Sequence, residues 1–286
     1  MEQQLRGLAG KIIGIANQKG GVGKTTSAIS IAAALGKKGY KTLLVDIDPQ
    51  GNASSGTGIN TDELTASIYE LLIGSAGVGD VIQKTQFNNL YIIPANMNLI
   101  GAGIELQEIE DNEHRLKQII EGIAPDYDYI ILDPPPSLGI LTLNVLIAAE
   151  WLLIPVQCEY YALEGLKILQ AAIDRIKAGF NPNLKILGIL LTMFDGRTNL
   201  SRQVTDEVRR FFGDLVFSTV IGRSVRLGEA PSYGSPIVYY DERSAGAMCY
   251  NLLCEEIEQR LECKVKKLDV VAPPPSAATD ESGVVV

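Results

Sequence analysis

The stretch QKGGVGKTT, residues 18–26, lies between an apolar, β-branched run at 12–16 and a segment at 26–38 with helical apolar spacing. Glycines in a strand–loop–helix turn allow backbone N–H groups to converge on phosphate oxygens, and the helix N-terminus adds the positive end of its dipole. Lys24 stands where a lysine reaches the β- and γ-phosphates, and Thr25 stands where a hydroxyl binds Mg²⁺. The stretch therefore predicts a P-loop for a nucleoside triphosphate and Mg²⁺.

This P-loop differs from the common pattern GxxxxGK[ST] at its start. The pattern requires a glycine five residues before Gly23, but this chain has Gln18 there, followed by a second lysine, Lys19. The remaining glycines and the GKT sequence are those that a phosphate-binding loop needs. We predict that the nucleotide is bound by Gly20, Gly21, Val22, Gly23, Lys24, Thr25 and Thr26.

Strand-like and helix-like segments alternate from residue 11 to about residue 263. This alternation is typical of a parallel sheet covered by helices on both faces. The predicted fold class is α/β: a single-domain P-loop NTPase with a mostly parallel twisted sheet flanked by helices on both faces. The predicted strands are 12–16, 42–46, 90–94, 129–133, 151–156, 186–192 and 216–221. The predicted helices are 26–38, 106–123, 163–178, 203–212 and 245–261.

The composition suits one large domain and excludes several classes of protein. The 286 residues are 46% hydrophobic and 21% charged, which excludes collagen-like and wholly disordered chains. The net charge of −9 excludes a general basic coat for nucleic acid, so DNA binding would need a local patch. We expect an N-terminal extension at 1–10, the P-loop ATPase domain at 11–263, and a Pro/Ser/Ala-rich, largely disordered tail at 264–286.

The sequence shows no sign of export or membrane insertion. It has no run of about 18 uncharged apolar residues, and the first ten residues, MEQQLRGLAG, lack the apolar core of a secretory signal. We therefore expect a cytoplasmic protein that does not bind a membrane.

Acidic residues stand at the ends of two predicted strands. Asp46 and Asp48 end the strand 42–46, and Asp133 ends the strand 129–133. An aspartate that ends a buried strand beside a P-loop can hold the water shell of Mg²⁺, and Asp133 is the candidate for this role. Asp46 and Asp48 are two residues apart, so in an extended segment both would point to the γ-phosphate.

The chain resembles a known family over roughly residues 11–263. KGGVGKTT resembles the deviant Walker A motif of the ParA/MinD group of P-loop ATPases. The blocks DPQGN, DPPPSLG, PVQCEYYALEGL, TMFDGRTNLSRQV and GRSVRLGEAPSYGSPIVYYDERSAGA are similar to chromosomal ParA (Soj) proteins, in order and spacing. Several such blocks are more specific than one Walker motif, and they favour the Soj type over MinD.

The resemblance implies a function and roles for individual residues. It implies a slow ATPase for chromosome or plasmid partitioning, in which ATP drives a sandwich homodimer that binds DNA without sequence specificity. A ParB-like centromere-binding protein would stimulate hydrolysis, and the protein would be nucleoid-associated. The catalytic residues would be Lys19, which reaches the partner's ATP, Lys24, and Asp48, which orients water. Asp46 would support the Mg²⁺ shell with Thr25 and Asp133, and Met193 and Arg223 would bind the nucleotide.

A basic segment, 195–226, is the candidate DNA-binding site. It contains six arginines and four acidic residues, in contrast to the acidic chain as a whole. Arginine makes bidentate phosphate contacts that carry no sequence information. Two of the arginines, Arg197 and Arg226, match basic positions of the family that are linked to DNA binding. The predicted DNA-binding residues are Arg197, Arg223 and Arg226.

Other members of the wider P-loop group remain as alternatives. A MinD-like membrane-associated spatial regulator would need a basic amphipathic C-terminal helix. Lys264, Lys266 and Lys267 offer charge, but the following stretch VVAPPPSAATDESGVVV contains three prolines and two acids. A redox ATPase like the nitrogenase iron protein would need two cluster cysteines, which the cysteine positions do not match. A tyrosine kinase of this group would carry a terminal tyrosine cluster, and the last 36 residues contain none.

Overall fold

The computed structural model describes residues 10–269, with side chains up to residue 262. Its centre is an eight-stranded sheet in the order β3-β4-β2-β5-β1-β6-β7-β8, in which only the β3–β4 pair is antiparallel. The strands are β1 (Lys11–Ile15), β2 (Thr42–Asp46), β3 (Gln83–Lys84), β4 (Leu90–Ile93), β5 (Tyr129–Asp133), β6 (Trp151–Gln157), β7 (Lys185–Phe194) and β8 (Val216–Gly222).

Helices cover both faces of this sheet. The longest are α1 (Lys24–Lys37), α8 (Ala162–Gly179), α9 (Asn199–Phe212) and α12 (Ala245–Asp269). The shorter ones are α2 (Asn52–Gly56), α3 (Ile68–Ile73), α4 (Val78–Val81), α5 (Leu99–Glu105), α6 (Arg115–Ile123), α7 (Ile140–Ala148), α10 (Val225–Glu229) and α11 (Ile237–Tyr240). None of the helices described is both long and apolar enough to cross a membrane.

The strands supply a separate apolar core to each face. Successive side chains of a strand point to opposite faces, so Ile12 packs with residues of α6 to α9, whereas Ile13 packs with residues of α1 and α12. All five residues of β2 and all five of β5 are buried. This burial on both sides explains why the central strands read as continuous apolar runs. The predicted α/β fold is confirmed.

The seven predicted strands are all present, and two, 42–46 and 129–133, have the predicted bounds. The eighth, β3, was missed because it has only two residues. All the strands except the antiparallel β3 carry their carboxyl ends to the same edge of the sheet, where the P-loop and the predicted acidic strand ends also lie.

The predicted helix 106–123 is wrong in its first half. The structure instead has α5, a short turn at Leu106–Glu108, and a separate α6 that begins at Arg115. Asp111 between them has a left-handed backbone with φ of 58°, which interrupts a helix. Asn144 of α7 also donates to the carbonyl oxygen of Asn112 at 3.0 Å, so a distant helix stabilises the break.

The ends of the predicted domain can be compared only in part. Helix α12 continues to Asp269, so the backbone of the first six residues of the predicted tail is helical. The predictions for residues 1–9 and 270–286 lie outside the described residues.

Candidate functional site

The P-loop connects β1 to α1. Gly21 and Gly23 have φ of 72° and 90°, in the left-handed region that glycine adopts without strain. Gly23 is the N-cap of α1, and no side chain caps this helix end. The first turn of α1 contains no acidic residue. The backbone N–H groups at this helix end are therefore free to bind an anion, as the sequence predicts for a phosphate.

The P-loop borders a cavity of about 610 Å³ at the carboxyl edge of the sheet. The wall contains six of the predicted phosphate-loop residues, residues of the turn that follows β2, and two prolines after β5. A second cavity of about 260 Å³ adjoins it and shares Gly23, Thr26 and Met193. Arg223 and Tyr250 also line the second cavity. The two cavities together have room for phosphates at the loop and a base beside Met193 and Arg223.

Lys24 is directed inward at the start of α1. It is 6% exposed, and its Nζ donates a hydrogen bond to the carbonyl oxygen of Lys19 at 3.0 Å. Burial lowers the pKa of Lys24, and the negative charges of Asp133 and Asp48 oppose this effect. A phosphate in the cavity would give this ammonium group an anionic hydrogen-bond partner.

Three carboxylates meet at the adjacent ends of β2 and β5. Asp46 and Asp133 are paired in register, and Asp48 lines the larger cavity. Burial raises the pKa of Asp46 to about 6, although the hydrogen bonds from Ser54 and Asp48 oppose the rise. Burial also raises the pKa of Asp133 well above its usual range, and the charge of Asp46 adds to this. Two like charges in a buried site favour a bound cation.

Asp133 is the carboxylate that fits a cation best. Both of its oxygens are buried, and in the described part of the chain neither has a hydrogen-bond partner of normal geometry, although the Thr25 side chain is near enough to oppose the rise in its pKa. A buried carboxylate without donors, next to a threonine hydroxyl and a phosphate-binding loop, provides the hard oxygen ligands that Mg²⁺ prefers. The residues present therefore fit Mg²⁺.

Asp46 has a different set of contacts. One of its oxygens accepts from the Asp48 amide at 3.1 Å, and the other accepts from the Ser54 amide at 2.8 Å and the Ser54 hydroxyl at 2.7 Å. The structure thus places Asp46 beside Asp133 but binds both of its oxygens to the turn that carries Asp48. Its predicted support of the Mg²⁺ shell stays a prediction.

Lys19 does not line either nucleotide cavity. Its side chain is about half exposed and forms an ion pair with Glu159, which follows β6. An exposed lysine at the rim of the cavity is accessible to a second molecule, as the resemblance implies. Glu159 was not predicted as a site residue, although it lies within the block PVQCEYYALEGL.

Further polar residues support the site and were not predicted. The Thr192 hydroxyl at the end of β7 donates to the Val22 carbonyl oxygen at 2.8 Å and so fixes the P-loop from outside. The hydroxyls of Ser27 and Tyr250 are 3.0 Å apart behind the second cavity. Thr192 could have been found from sequence, because it is a polar residue that ends a buried strand, as Asp133 does.

Two of the three predicted DNA-binding arginines, Arg197 and Arg226, lie on the surface and are paired with acids. Arg197 makes bidentate contacts of 2.9 and 2.7 Å with Asp195, and its guanidinium lowers the pKa of that carboxyl. Arg226 contacts Glu229 at 3.1 Å and Asp241 at 3.5 Å. DNA phosphates would have to displace these carboxylates.

Arg223 stands apart from the other two arginines because it lines the second cavity. Its backbone amide donates to the Phe194 carbonyl oxygen at 3.0 Å, next to the Asp195–Arg197 pair. The structure therefore brings Arg223 close to both the predicted base site and the Arg197 surface.

Comparisons with known proteins agree with this geometry. A family model described as an AAA domain (AAA_31) matches residues 10–186. The chromosome partitioning protein ParA of Myxococcus xanthus is 51% identical over 251 residues, which are 88% of this chain and 89% of that protein. The sporulation initiation inhibitor protein Soj of Bacillus subtilis is 52% identical over 248 residues, 87% of this chain and 98% of that protein.

A solved structure shares the same architecture. The crystal structure of cobyrinic acid a,c-diamide synthase from Mycobacterium smegmatis, with bound ADP and magnesium, has a TM-score of 0.78 to this chain. The two are 34% identical, and the match covers 89% of this chain and 96% of the other.

Proposed function

This chain belongs to the ParA/Soj family of chromosome-partitioning proteins, and from that membership we propose that it is a Mg²⁺-dependent ATPase that partitions DNA. The observation that carries the ATPase part is that Lys24 and Asp48 line one cavity beside the P-loop, while Asp133 is buried close enough to Lys24 for their charges to interact. A neutral solute would leave these three charges uncompensated, whereas a triphosphate with Mg²⁺ matches each of them.

The residues of this chain divide the work of hydrolysis among them. The P-loop amides and Lys24 hold the phosphates, and Thr25 and Asp133 hold Mg²⁺, with Asp46 beside them. When bound, Mg²⁺ neutralises charge on the β- and γ-phosphates. Asp48 is 9% exposed on the cavity wall, and it orients the attacking water. Positioning and charge stabilisation supply most of the catalysis of phosphoryl transfer to water.

ATP binding joins two copies of the chain in a sandwich dimer. Lys19 leaves Glu159 and reaches the partner's ATP, so that each nucleotide is completed by the second protomer. Exposed apolar side chains near the larger cavity support such a contact, among them Ile100 (59% exposed) and Leu138 (50% exposed). Dimerisation thus depends on the presence of a triphosphate.

The dimer binds nucleoid DNA without sequence specificity. One arginine surface on a chain with a net charge of −9 binds DNA weakly, but two surfaces in one dimer gain affinity through avidity. Arg197, Arg223 and Arg226 make the phosphate contacts, and a ParB-like centromere-binding protein stimulates the slow hydrolysis that releases the DNA. The names of the relatives support this role. The protein is then cytoplasmic and nucleoid-associated.

The first experiment measures DNA retention and light scattering of the purified full chain with ATP, with ADP and without nucleotide. Wild type is expected to dimerise and to retain DNA of any sequence only with ATP. Lys24→Ala should lose both properties, whereas Asp48→Ala should stay dimeric and DNA-bound. Dimerisation with ATP but without DNA retention would overturn the DNA part, and binding to anionic liposomes would then indicate a MinD-like role.

A further inference from the structure

Ser54 lies at the first turn of α2, away from the cavity wall, and its side chain joins two segments that are distant in sequence. Its hydroxyl donates to the Asp46 carboxylate at 2.7 Å and accepts from the Ala95 amide at 3.0 Å. Ser54, Asp46 and Ala95 are all fully buried. A buried hydroxyl that uses both its donor and its acceptor capacity specifies one geometry for its neighbours.

The Asp46 carboxylate transmits this geometry to Asp48. One oxygen binds the Ser54 amide and hydroxyl at the end of the turn, and the other binds the Asp48 amide at its beginning, at 3.1 Å. Within the turn, the Gln50 amide donates to Asp48 Oδ1 at 2.9 Å. A single buried carboxylate thus closes the seven-residue turn from Asp48 to Ser54 at both ends.

The bond to Ala95 anchors the turn to the sheet. Ala95 follows β4, which pairs with β2, and Gly51 in the turn approaches the Ala95 carbonyl so closely that a Cβ on Gly51 would lie 3.0 Å from that oxygen. Beyond Ala95 the chain enters α5, whose Ile100 lines the larger cavity beside Asp48. Ser54 therefore joins the two segments that form one wall of the cavity.

We propose that Ser54 is a positioning residue for ATP hydrolysis, whose hydroxyl, held between Asp46 and Ala95, fixes the turn that carries Asp48. The inference rests on the proposed ATPase function, because it concerns the placement of the residue that orients water. Ser54 lines neither of the two cavities. Its removal therefore affects the rate of the chemical step and leaves nucleotide binding to the P-loop intact.

The test compares Ser54→Ala with two matched controls in the full-length chain. Thr57→Val removes another buried hydroxyl of the same segment, which bonds only to the carbonyl oxygens of Ala53 and Ser54, both at 2.9 Å. Ser55→Ala removes the exposed hydroxyl next to Ser54. Neither control touches Asp46 or Ala95.

Single-turnover ATP hydrolysis and binding of the non-hydrolysable analogue AMP-PNP separate rate from affinity. Because a small displacement of a catalytic group lowers the reaction rate strongly, Ser54→Ala should lower the hydrolysis rate by about 10- to 100-fold. Its affinity for AMP-PNP should stay within about twofold of wild type, since the phosphate contacts remain. Both controls should keep the wild-type rate. A wild-type rate in Ser54→Ala, or an equal loss in Thr57→Val, would overturn the inference.

Hydrogen exchange supplies a readout that does not depend on activity. The amides of Ala95 and Asp48 should exchange faster in Ser54→Ala, because the Ala95 amide loses its acceptor and the Asp46 carboxylate, which accepts from the Asp48 amide, loses the hydroxyl that holds it. Both amides should exchange at the wild-type rate in Thr57→Val. Unchanged exchange in Ser54→Ala would contradict the inference by itself. By contrast, a wild type that does not hydrolyse ATP would overturn the proposed function, while the exchange rates would still decide the role of Ser54.

A second pair of variants covers the case in which Ser54→Ala does not fold. Ser54→Thr keeps a hydroxyl, whereas Ser54→Cys has nearly the size of serine but is a weak donor and acceptor. Hydrolysis by Ser54→Thr should exceed that of Ser54→Cys by about tenfold, the scale expected for one positioning bond. Equal rates, or the reverse order, would contradict the inference.

Discussion

Burial changes the pKa values of individual carboxylates at this site. Asp46 and Asp133 are fully buried on neighbouring strands, and burial raises the pKa of each. Asp46 is compensated by three hydrogen bonds, whereas Asp133 has no partner of normal geometry among the residues described. The chain therefore holds one carboxylate ready for a cation and uses the other to organise a turn. This difference could not be read from sequence, because both residues end apolar strands in the same way.

The first prediction concerns Asp133. Mg²⁺ with ATP at about 100 times its dissociation constant should stabilise wild type by about 2.7 kcal/mol, because only the folded chain binds it. Thermal melting should show this as a rise of roughly 5 to 10 °C for a chain of this size. Asp133→Asn should lose most of the rise, since an amide cannot replace the carboxylate beside Mg²⁺. The exposed Asp174→Asn is the control, and an equal rise in Asp133→Asn would exclude Asp133 as a cation ligand.

The second prediction concerns the ion pair of Lys19 with Glu159. If Lys19 must leave Glu159 to reach a partner's ATP, Glu159→Gln removes a competitor for its ammonium group. Exposed ion pairs contribute about 0.2–1 kcal/mol, so the ATP concentration at half-maximal dimerisation should fall by roughly 1.5- to 5-fold. Light scattering during ATP titration measures this. Lys19→Ala should not dimerise at any ATP concentration, and a higher ATP requirement in Glu159→Gln would show that Glu159 supports the dimer.

Short helices can position charged side chains on the surface of this molecule. Helix α10 has only five residues, yet it presents Arg226 and Glu229 on one face and brings Arg226 to Asp241 after α11. The interrupted helix 106–123 shows the limit of periodicity. Apolar spacing predicted one helix, but a contact that is distant in sequence, from Asn144 of α7 to the Asn112 carbonyl oxygen, holds the charged stretch around Asp111 in a non-helical conformation. Helices with a long apolar stripe were predicted better, because packing of that stripe on the core stabilises the helix. The predicted bounds of α8 differ by one residue at each end, and α12 begins at the predicted residue.

The third prediction follows from α10. Arg226→Glu should weaken DNA binding by the ATP-loaded protein, because it replaces a phosphate contact by a repulsive charge, while ATP affinity is unchanged. Glu229→Gln should have the opposite effect on DNA affinity, since it frees the guanidinium of Arg226. Filter retention at low salt measures both.

Arg175→Glu on α8 is the matched control for Arg226→Glu, because it makes the same charge change on an exposed arginine outside the segment 195–226. Equal losses of DNA affinity in the two variants would indicate a general charge effect. Unchanged DNA affinity of Arg226→Glu would remove this surface from the proposed function.

The molecule has two apolar cores, one on each face of the central sheet. Helix α12 packs against α1 and β8 and covers the face opposite α6 to α9. Its buried residues include Leu253, Cys254 and Ile257, all fully buried. Because α1 begins at the P-loop and packs on α12, the C-terminal helix supports the nucleotide site from behind.

The fourth prediction uses two adjacent leucines of α12. Leu253 is fully buried and Leu252 is 55% exposed. Leu253→Ala should lower the free energy of unfolding by about 2–5 kcal/mol, because it leaves a cavity in the core between α12 and α1. Leu252→Ala should change it by no more than about 0.5 kcal/mol. Denaturant unfolding monitored by circular dichroism measures both, and similar values would contradict the packing of α12 described here.

The amino-acid sequence by itself determined the central strands, the P-loop and the family, because these depend on local patterns: apolar runs, glycine spacing and residue order over a few positions. Tertiary structure alone decided which charged and polar groups are paired. Lys19 meets Glu159, Ser54 meets Ala95, and Arg226 meets Asp241. Such contacts form because the strand order brings distant segments to one edge of the sheet, and neither periodicity nor motif spacing contains that order. The assignment of roles among the aspartates therefore required the folded chain.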